Sequence, residues 1–271
     1  MFKINNLTYQ YDKTRKALDN VSMDFNKGNI IGIIGSNGSG KSTLFNNLMG
    51  ILKSTEGEIL YNGEQIKYDK KSLYNLRKEV GIVFQDPEKQ IFYSMVYDDI
   101  AFALRNIGID EKTIKERIHT ALEAVNGLQF IDRPVHNLSF GQKKRVAIAS
   151  VVAMENKLVL LDEPTAGLDP ISTRAIVDII KGLNKRGVKI VISSHDMNLI
   201  YEICDYVYVL NQGVLINEGT REEVFINKEK IDEAGLELPW LVKLHKNMGL
   251  PLFTKEQDLY SYWNHREQKT V

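Results

Sequence analysis

Apolar positions follow two rhythms along this chain. Residues 2–9 and 17–25 alternate apolar with polar, the period of strands that bury one face. The runs at Asn29–Ile34, Val80–Phe84, Lys157–Leu161 and Val188–Ser193 are short, nearly continuous and β-branched, as strands covered on both faces are. Gly57–Gly63 reads as a further strand entering a turn. Lys41–Met49 and Ile171–Arg186 read as helices, and a helical pattern runs from about Asp98 to Asn126. Strands alternating with helices predict an α/β fold whose mainly parallel sheet is covered on both faces. The helical middle, about residues 86–154, interrupts that alternation and reads as an inserted subdomain. Beyond Thr220 the pattern changes to short charged helices with loops near Pro239 and Pro251. The expected division is one domain over 1–220 and a helical C-terminal extension over 221–271.

Composition narrows the class. With 271 residues, 43% apolar, the chain can bury a full core. Lys+Arg and Asp+Glu balance at 35 each, so no domain-wide basic field invites nucleic acid. The single cysteine, Cys204, excludes an intramolecular disulfide and a multi-cysteine metal site. The longest apolar runs are strand-sized, short of the ~20 residues that span a bilayer. The first residues lack the apolar core of a secretory signal, so work at a membrane would require another subunit to hold the chain there.

The most specific signal is Gly35-Ser36-Asn37-Gly38-Ser39-Gly40-Lys41-Ser42-Thr43, between the Asn29–Ile34 strand and the following helix. It fits G-x-x-x-x-G-K-[ST], the phosphate-binding loop of nucleotide hydrolases. Glycines let the backbone turn its N–H groups onto a phosphate, and the start of the next helix adds a fixed attraction for negative charge. Lys41 should reach the terminal phosphates and the Ser42 hydroxyl should sit on Mg²⁺. The chain is expected to bind a nucleoside triphosphate.

Lys157–Leu161 ends in Asp162 and Glu163. In a phosphate-loop fold the first acid at such a strand end holds Mg²⁺, and the second can polarise the attacking water. Leu138-Ser139-Phe140-Gly141-Gln142 opens another helix. Ser139 and Gln142 fit the S-x-x-Q capping box, and a Ser-capped, Gly-containing helix start is also an anion site. On its own this segment supports both readings.

Phosphate loop, Leu-Ser-Phe-Gly-Gln, then Leu-Leu-Asp-Glu-Pro-Thr-Ala-Gly-Leu-Asp-Pro, in that order, resembles the ATP-binding cassette family over roughly residues 1–220. The resemblance implies a phosphate-loop NTPase sheet core with N-terminal antiparallel strands. Tyr11 stands where the family stacks an aromatic on adenine. Gln85 matches the glutamine that senses Mg²⁺ and links the site to the helical subdomain. Leu168-Asp169 matches the loop that crosses to a partner subunit, and His195 matches the switch histidine. ATP would lie between two ATPase subunits, identical or paralogous. Lys41, Ser42, Asp162 and Glu163 of one would face Ser139, Gly141 and Gln142 of the other. Phe140 departs from the family's Leu-Ser-Gly-Gly-Gln and must find room beside the helix start.

Phe84-Gln85-Asp86-Pro87-Glu88-Lys89-Gln90-Ile91-Phe92, Asp98-Asp99-Ile100-Ala101-Phe102, Phe140–Ala149 and Leu238-Pro239-Trp240-Leu241 are similar to ATPase subunits of energy-coupling factor importers, the cobalt type foremost. That implies an ATPase on the cytoplasmic face of a cell membrane, with a transmembrane coupling subunit and a substrate-binding membrane subunit as partners. Cobalt or nickel ions or a vitamin would be the solute. The implied docking surface is Phe84–Ala101, where Asp98 and Asp99 would favour their helix start and offer a cationic partner a contact. The same residues also fit an ordinary solvated turn and helix. The alternative is a cassette ATPase of another transporter, or of a non-transport nucleotide-gated complex.

Overall fold

A computed structural model describes residues 1–12 and 15–267. The chain opens with β1 (Phe2–Gln10) and β2 (Lys16–Asp24), then β3 (Ile30–Ile34) feeds α1 (Lys41–Leu48). β4 (Glu56–Tyr61), β5 (Glu64–Gln65), α2 (Lys70–Glu79) and β6 (Val80–Val83) follow. The helical middle holds α3 (Val96–Asn106), α4 (Glu111–Ala124) and α5 (Phe140–Ala153). The alternation then resumes with β7 (Leu158–Asp162), α6 (Pro170–Lys185), β8 (Lys189–Ser194) and α7 (Met197–Ile203). β9 (Tyr206–Asn211) and β10 (Val214–Thr220) close the sheet. The tail is α8 (Arg221–Ile226), α9 (Lys228–Glu233), α10 (Trp240–Met248) and α11 (Glu256–Glu267).

These strands build two sheets. The larger runs β10-β9-β3-β8-β7-β6, parallel except at the β9–β10 hairpin, and the smaller, antiparallel, runs β2-β1-β4-β5. The α/β expectation holds. Side chains alternate across the large sheet, as the strand period demands. Ile31 and Ile33 of β3, Leu158 and Leu160 of β7 and Val191 of β8 meet α1 and the small sheet. Ile30, Ile34, Val159, Leu161, Ile190 and Ile192 face a second core with the middle helices, α6, α7 and the C-terminal helices. Val224, Phe225, Ile231, Leu241 and Val242 belong to that second core. Cys204 is fully buried there, and a Cβ at Gly32 would stand 3.2 Å from its Sγ. No helix among the described residues is long and apolar enough to cross a membrane.

Two local readings change. The single helical stretch from Asp98 to Asn126 is two helices. Gly108 takes a left-handed φ of +80° and Asp110 caps α4 through the Thr113 N–H, which together stop one helix and start the next. The Asp98–Asp99 pair is not a bare acidic face. Asp99 is buried and its Oδ1 accepts the N–H groups of Phe92 (2.8 Å) and Tyr93 (3.1 Å), while Asp98 lies 3.4 Å from Arg105. Burial raises the Asp99 carboxyl above its ordinary range, opposed by those two N–H donors.

Candidate functional site

The carboxyl ends of parallel strands all open on one edge of the sheet, and the candidate chemistry collects there. β3 pairs with β8 so that Ile34 faces Ser194, and β7 pairs with β8 so that Asp162 faces Ser193. The residues that follow those strand ends are therefore neighbours: Gly35, Glu163 and His195.

After β3 the chain turns through the glycine-rich loop. A Cβ at Gly35 would lie 2.3 Å from the Leu210 carbonyl oxygen, so only glycine lets the loop start this close to β9. Gly40 caps α1 with φ +107°, and a Cβ there would meet the Ala17 carbonyl oxygen at 2.6 Å. Inside the loop Lys41 is buried and bends back, its Nζ donating to the carbonyl oxygens of Gly35 (2.8 Å) and Ser36 (3.2 Å). Burial lowers its pKa, and nearby Glu163 and Asp162 pull the other way. The Ser39 hydroxyl is buried with no hydrogen-bond partner among the described residues, an unsatisfied polar atom inside the cradle.

Asp162 is buried, and its Oδ1 accepts the Ser193 hydroxyl at 2.5 Å. Glu163, 5% exposed, sits at φ +46°, a left-handed conformation that costs a non-glycine residue about 1–2 kcal/mol. Its N–H donates to Ser193 Oγ at 3.0 Å. Its carboxylate reaches His195 Nδ1 at 2.8 Å and Lys41 Nζ at 3.8 Å. A strained acid held by a histidine and the loop lysine is a poised arrangement rather than a solvated strand end.

Tyr11, Asn37, Gly38, Ser39, Gly40, Lys41, Ser42, Thr43, Gln85, Glu163 and His195 line one cavity of about 510 Å³, together with Asp12, Arg15 and Ala17. Tyr11 is 63% exposed, its ring perpendicular to that of Tyr9 and its hydroxyl 3.2 Å from Thr43 Oγ1, so an aromatic ring is presented at the cavity where a planar ligand could stack. A larger hollow of about 930 Å³ lies between α6, α7 and the C-terminal segment. It holds none of the phosphate-loop residues, and the chemistry singles out the smaller one.

Ser139, Gly141 and Gln142 do not line that cavity. They form the start of α5, where Ser139 Oγ accepts the Gln142 N–H and the Gln142 side chain accepts the Ser139 N–H, a complete capping box. Phe140 finds its room on the outside, 41% exposed, with its ring 5.4 Å from Lys144 Nζ. A Cβ at Gly167 would be 3.5 Å from that ring.

Sequence reasoning missed two contributors. Lys144 is buried beneath Phe140 and donates to the Glu163 carbonyl oxygen at 2.8 Å. The signal was available, because Phe140, Lys144, Ile148 and Val151 share one face of α5 and a lysine on a core-facing row asks for a reason. Gln90 joins the loop after β6 to α5: its Oε1 accepts the Phe84 N–H and its Nε2 donates to the Ala147 carbonyl oxygen, both at 3.1 Å. Nearby, Glu88 pairs with Lys143 at 2.5 Å. A glutamine in a surface turn carries no sequence pattern that predicts this.

The chain is similar in sequence and fold to known proteins. The chain is 45% identical to a cobalt import ATP-binding protein, CbiO, of Salmonella typhimurium, over 99% of this chain and 97% of that one. It is 43% identical to an energy-coupling factor transporter ATP-binding protein, EcfA, of Methanosphaera stadtmanae, over 92% and 89%. Among solved structures it superposes on cbiO1 of Clostridium perfringens, part of the ABC transporter complex cbiONQ, with a TM-score of 0.78 and 42% identity, covering 90% of this chain and 98% of that one. It also superposes on a dimeric post-hydrolysis state of the cassette MJ0796 bound to ADP and Pi, with a TM-score of 0.73 and 28% identity over 82% and 99%. Residues 18–166 match the ABC transporter family, and with strand ends, loop and paired acids in these positions the chain belongs to it.

Proposed function

We propose that the chain is the ATP-hydrolysing subunit of a membrane importer of the energy-coupling factor type, with cobalt-type uptake favoured by its likeness to the cobalt import protein. The observation that carries the ATPase assignment is the gathering of Tyr11, the loop residues Asn37–Thr43, Glu163 and His195 around one cavity. In this reading the loop N–H groups and Lys41 hold the phosphates, and Tyr11 stacks on the base. Glu163 takes a proton from the attacking water, and His195 orients Glu163 or contacts the γ-phosphate. Ser42, Gln85 and Asp162 offer only oxygen donors to a cation, a set that suits Mg²⁺. When bound, that ion would neutralise charge on the phosphates.

Two such subunits would enclose ATP, because Ser139, Gly141 and Gln142 are ready as an anion site yet do not reach the cavity of their own chain. The membrane partner would dock on the loop after β6 and the start of α3, placing the subunit at the cytoplasmic face of the membrane. Phe92, 78% exposed, lies on that surface with the half-exposed Tyr93–Phe102 ring pair, so the partner is expected to present an apolar or aromatic segment.

Lys41→Ala tests the site directly. It should abolish tight MgATP binding or cripple turnover, because the charge on the β- and γ-phosphates is lost. Near-normal affinity and hydrolysis in that variant would end the assignment. The importer reading is tested by co-purification with membrane subunits from the native membrane.

A further inference from the structure

Lys144 is a buried cation whose partner is a backbone carbonyl rather than a carboxylate. It is 1% exposed, its Nζ donates to the Glu163 carbonyl oxygen at 2.8 Å, and the Phe140 ring covers it from outside at 5.4 Å. The carbonyl it holds belongs to the strained residue at φ +46°. Only one other donor reaches that oxygen among the described residues, the Ala166 N–H at 3.1 Å, within the turn that follows. Left-handed backbone persists at a non-glycine residue only where surroundings over-determine it. Here both peptides flanking Glu163 are pinned, its N–H by Ser193 and its carbonyl by Lys144.

Lys144 lies one turn into the helix that begins at Ser139. The helix start offered to a second subunit's nucleotide and the peptide that aims this subunit's acid are thus one hydrogen bond apart. We propose that Lys144 is a positioning residue for ATP hydrolysis: by holding the Glu163 carbonyl it fixes the backbone turn that aims the Glu163 carboxylate, and it ties that aim to the placement of α5. The inference rests on Glu163 acting as the base. A misplacement of about 1 Å at a reacting group can cost roughly 100-fold in rate, and removing Lys144 should cost kcat rather than nucleotide affinity.

Lys144→Met keeps the length of the side chain and removes the donor, whereas Lys144→Arg keeps a donor. For Lys144→Met, kcat should fall about 10- to 100-fold while the KM for ATP and the ATP affinity stay within about twofold; Lys144→Arg should recover most of kcat. Introduced into Glu163→Gln, Lys144→Met should change the residual rate by less than about twofold, because both act on one group. Wild-type kcat in Lys144→Met overturns the inference. So does a loss of kcat and affinity in step, or a full multiplication of the two single effects, since either describes mere packing. Should Lys144→Met fail to fold, Lys144→Leu, apolar and shorter, also lacks the donor and carries the same readouts. A Glu163→Gln protein hydrolysing at the wild-type rate would remove the base itself; a slow Glu163→Gln beside a full-rate Lys144→Met removes Lys144 alone.

Discussion

At the scale of single residues, the site is held by charges placed where water cannot screen them. Burial brings Lys144 from the ordinary lysine value of 10.5 down to about 8. Between those two values the unfolded chain keeps a proton that the folded chain has released, so stability rises with pH across the window. The slope from this one group is at most about 1.4 kcal/mol per pH unit. Denaturant unfolding at several pH values between 7 and 10.5 should show a shallower rise in Lys144→Met than in wild type. An unchanged slope would mean that Lys144 is as wet as a surface lysine. Glu163→Gln keeps the shape of the side chain and removes the carboxylate proposed as the base. ATP should still bind, with hydrolysis slowed about 10²- to 10⁴-fold, measured as phosphate release. That Lys41, Glu163 and His195 come together was legible because a backbone loop and adjacent strand ends set their places. The role of Lys144 was not, because it depends on a contact between residues 19 positions apart that no local pattern encodes.

At the scale of elements, four strands of the parallel core, β3, β6, β7 and β8, were legible from their apolar runs, since burial on both faces leaves no polar alternation to misread. The hairpin of β9 and β10 and the short helices α2 and α7 went unread. α2 has one buried residue, Leu76, and α7 is seven residues long, so neither shows a sustained helical stripe. Asp99 shows the same limit from the other side: its sequence suggests an exposed acid, and its geometry makes it the clasp of the Phe92–Tyr93 loop. Asp99→Ala should therefore loosen that loop, seen as faster amide exchange at Phe92 and Tyr93, with ATP affinity unchanged. Phe92→Glu combined with Phe102→Glu acts on the surface rather than the clasp. It should abolish co-purification with membrane subunits and leave ATPase activity of the isolated subunit within about twofold, because neither residue lines the nucleotide cavity.

At the scale of the whole molecule, the large sheet divides two cores, and the C-terminal helices close one of them. Trp240 donates its backbone N–H to Asn198 Oδ1 at 2.9 Å, and Asn211 donates to the Glu233 carbonyl oxygen, also at 2.9 Å, so the extension is fastened to α7 and β9. Burial of one large apolar side chain contributes about 1.5–3 kcal/mol, against a total stability of roughly 5–15 kcal/mol. Ending the chain after Thr220 strips Val224, Phe225, Ile231, Leu241 and Val242 from the core and should yield aggregated protein. Ending it before Glu256 removes α11, whose Leu259 is the only strongly buried apolar residue there among those described, and should leave a folded ATPase with a slightly lower melting temperature. Equal behaviour of the two truncations would refute this division of labour.

The buried position of Cys204 has a use unconnected with transport. It is the only thiol in the chain, has no exposed surface, and burial drives its pKa upward, away from the reactive thiolate. In the folded protein a maleimide should leave it untouched; once the core opens, it should react at once. Labelling then becomes a clock for global opening, read by mass without any engineered probe. A ligand that binds only the folded form must slow that clock, so ATP or ADP added to the unmodified chain should lengthen the labelling half-time in proportion to one plus the ratio of free ligand concentration to Kd, and Lys41→Ala should be deaf to both.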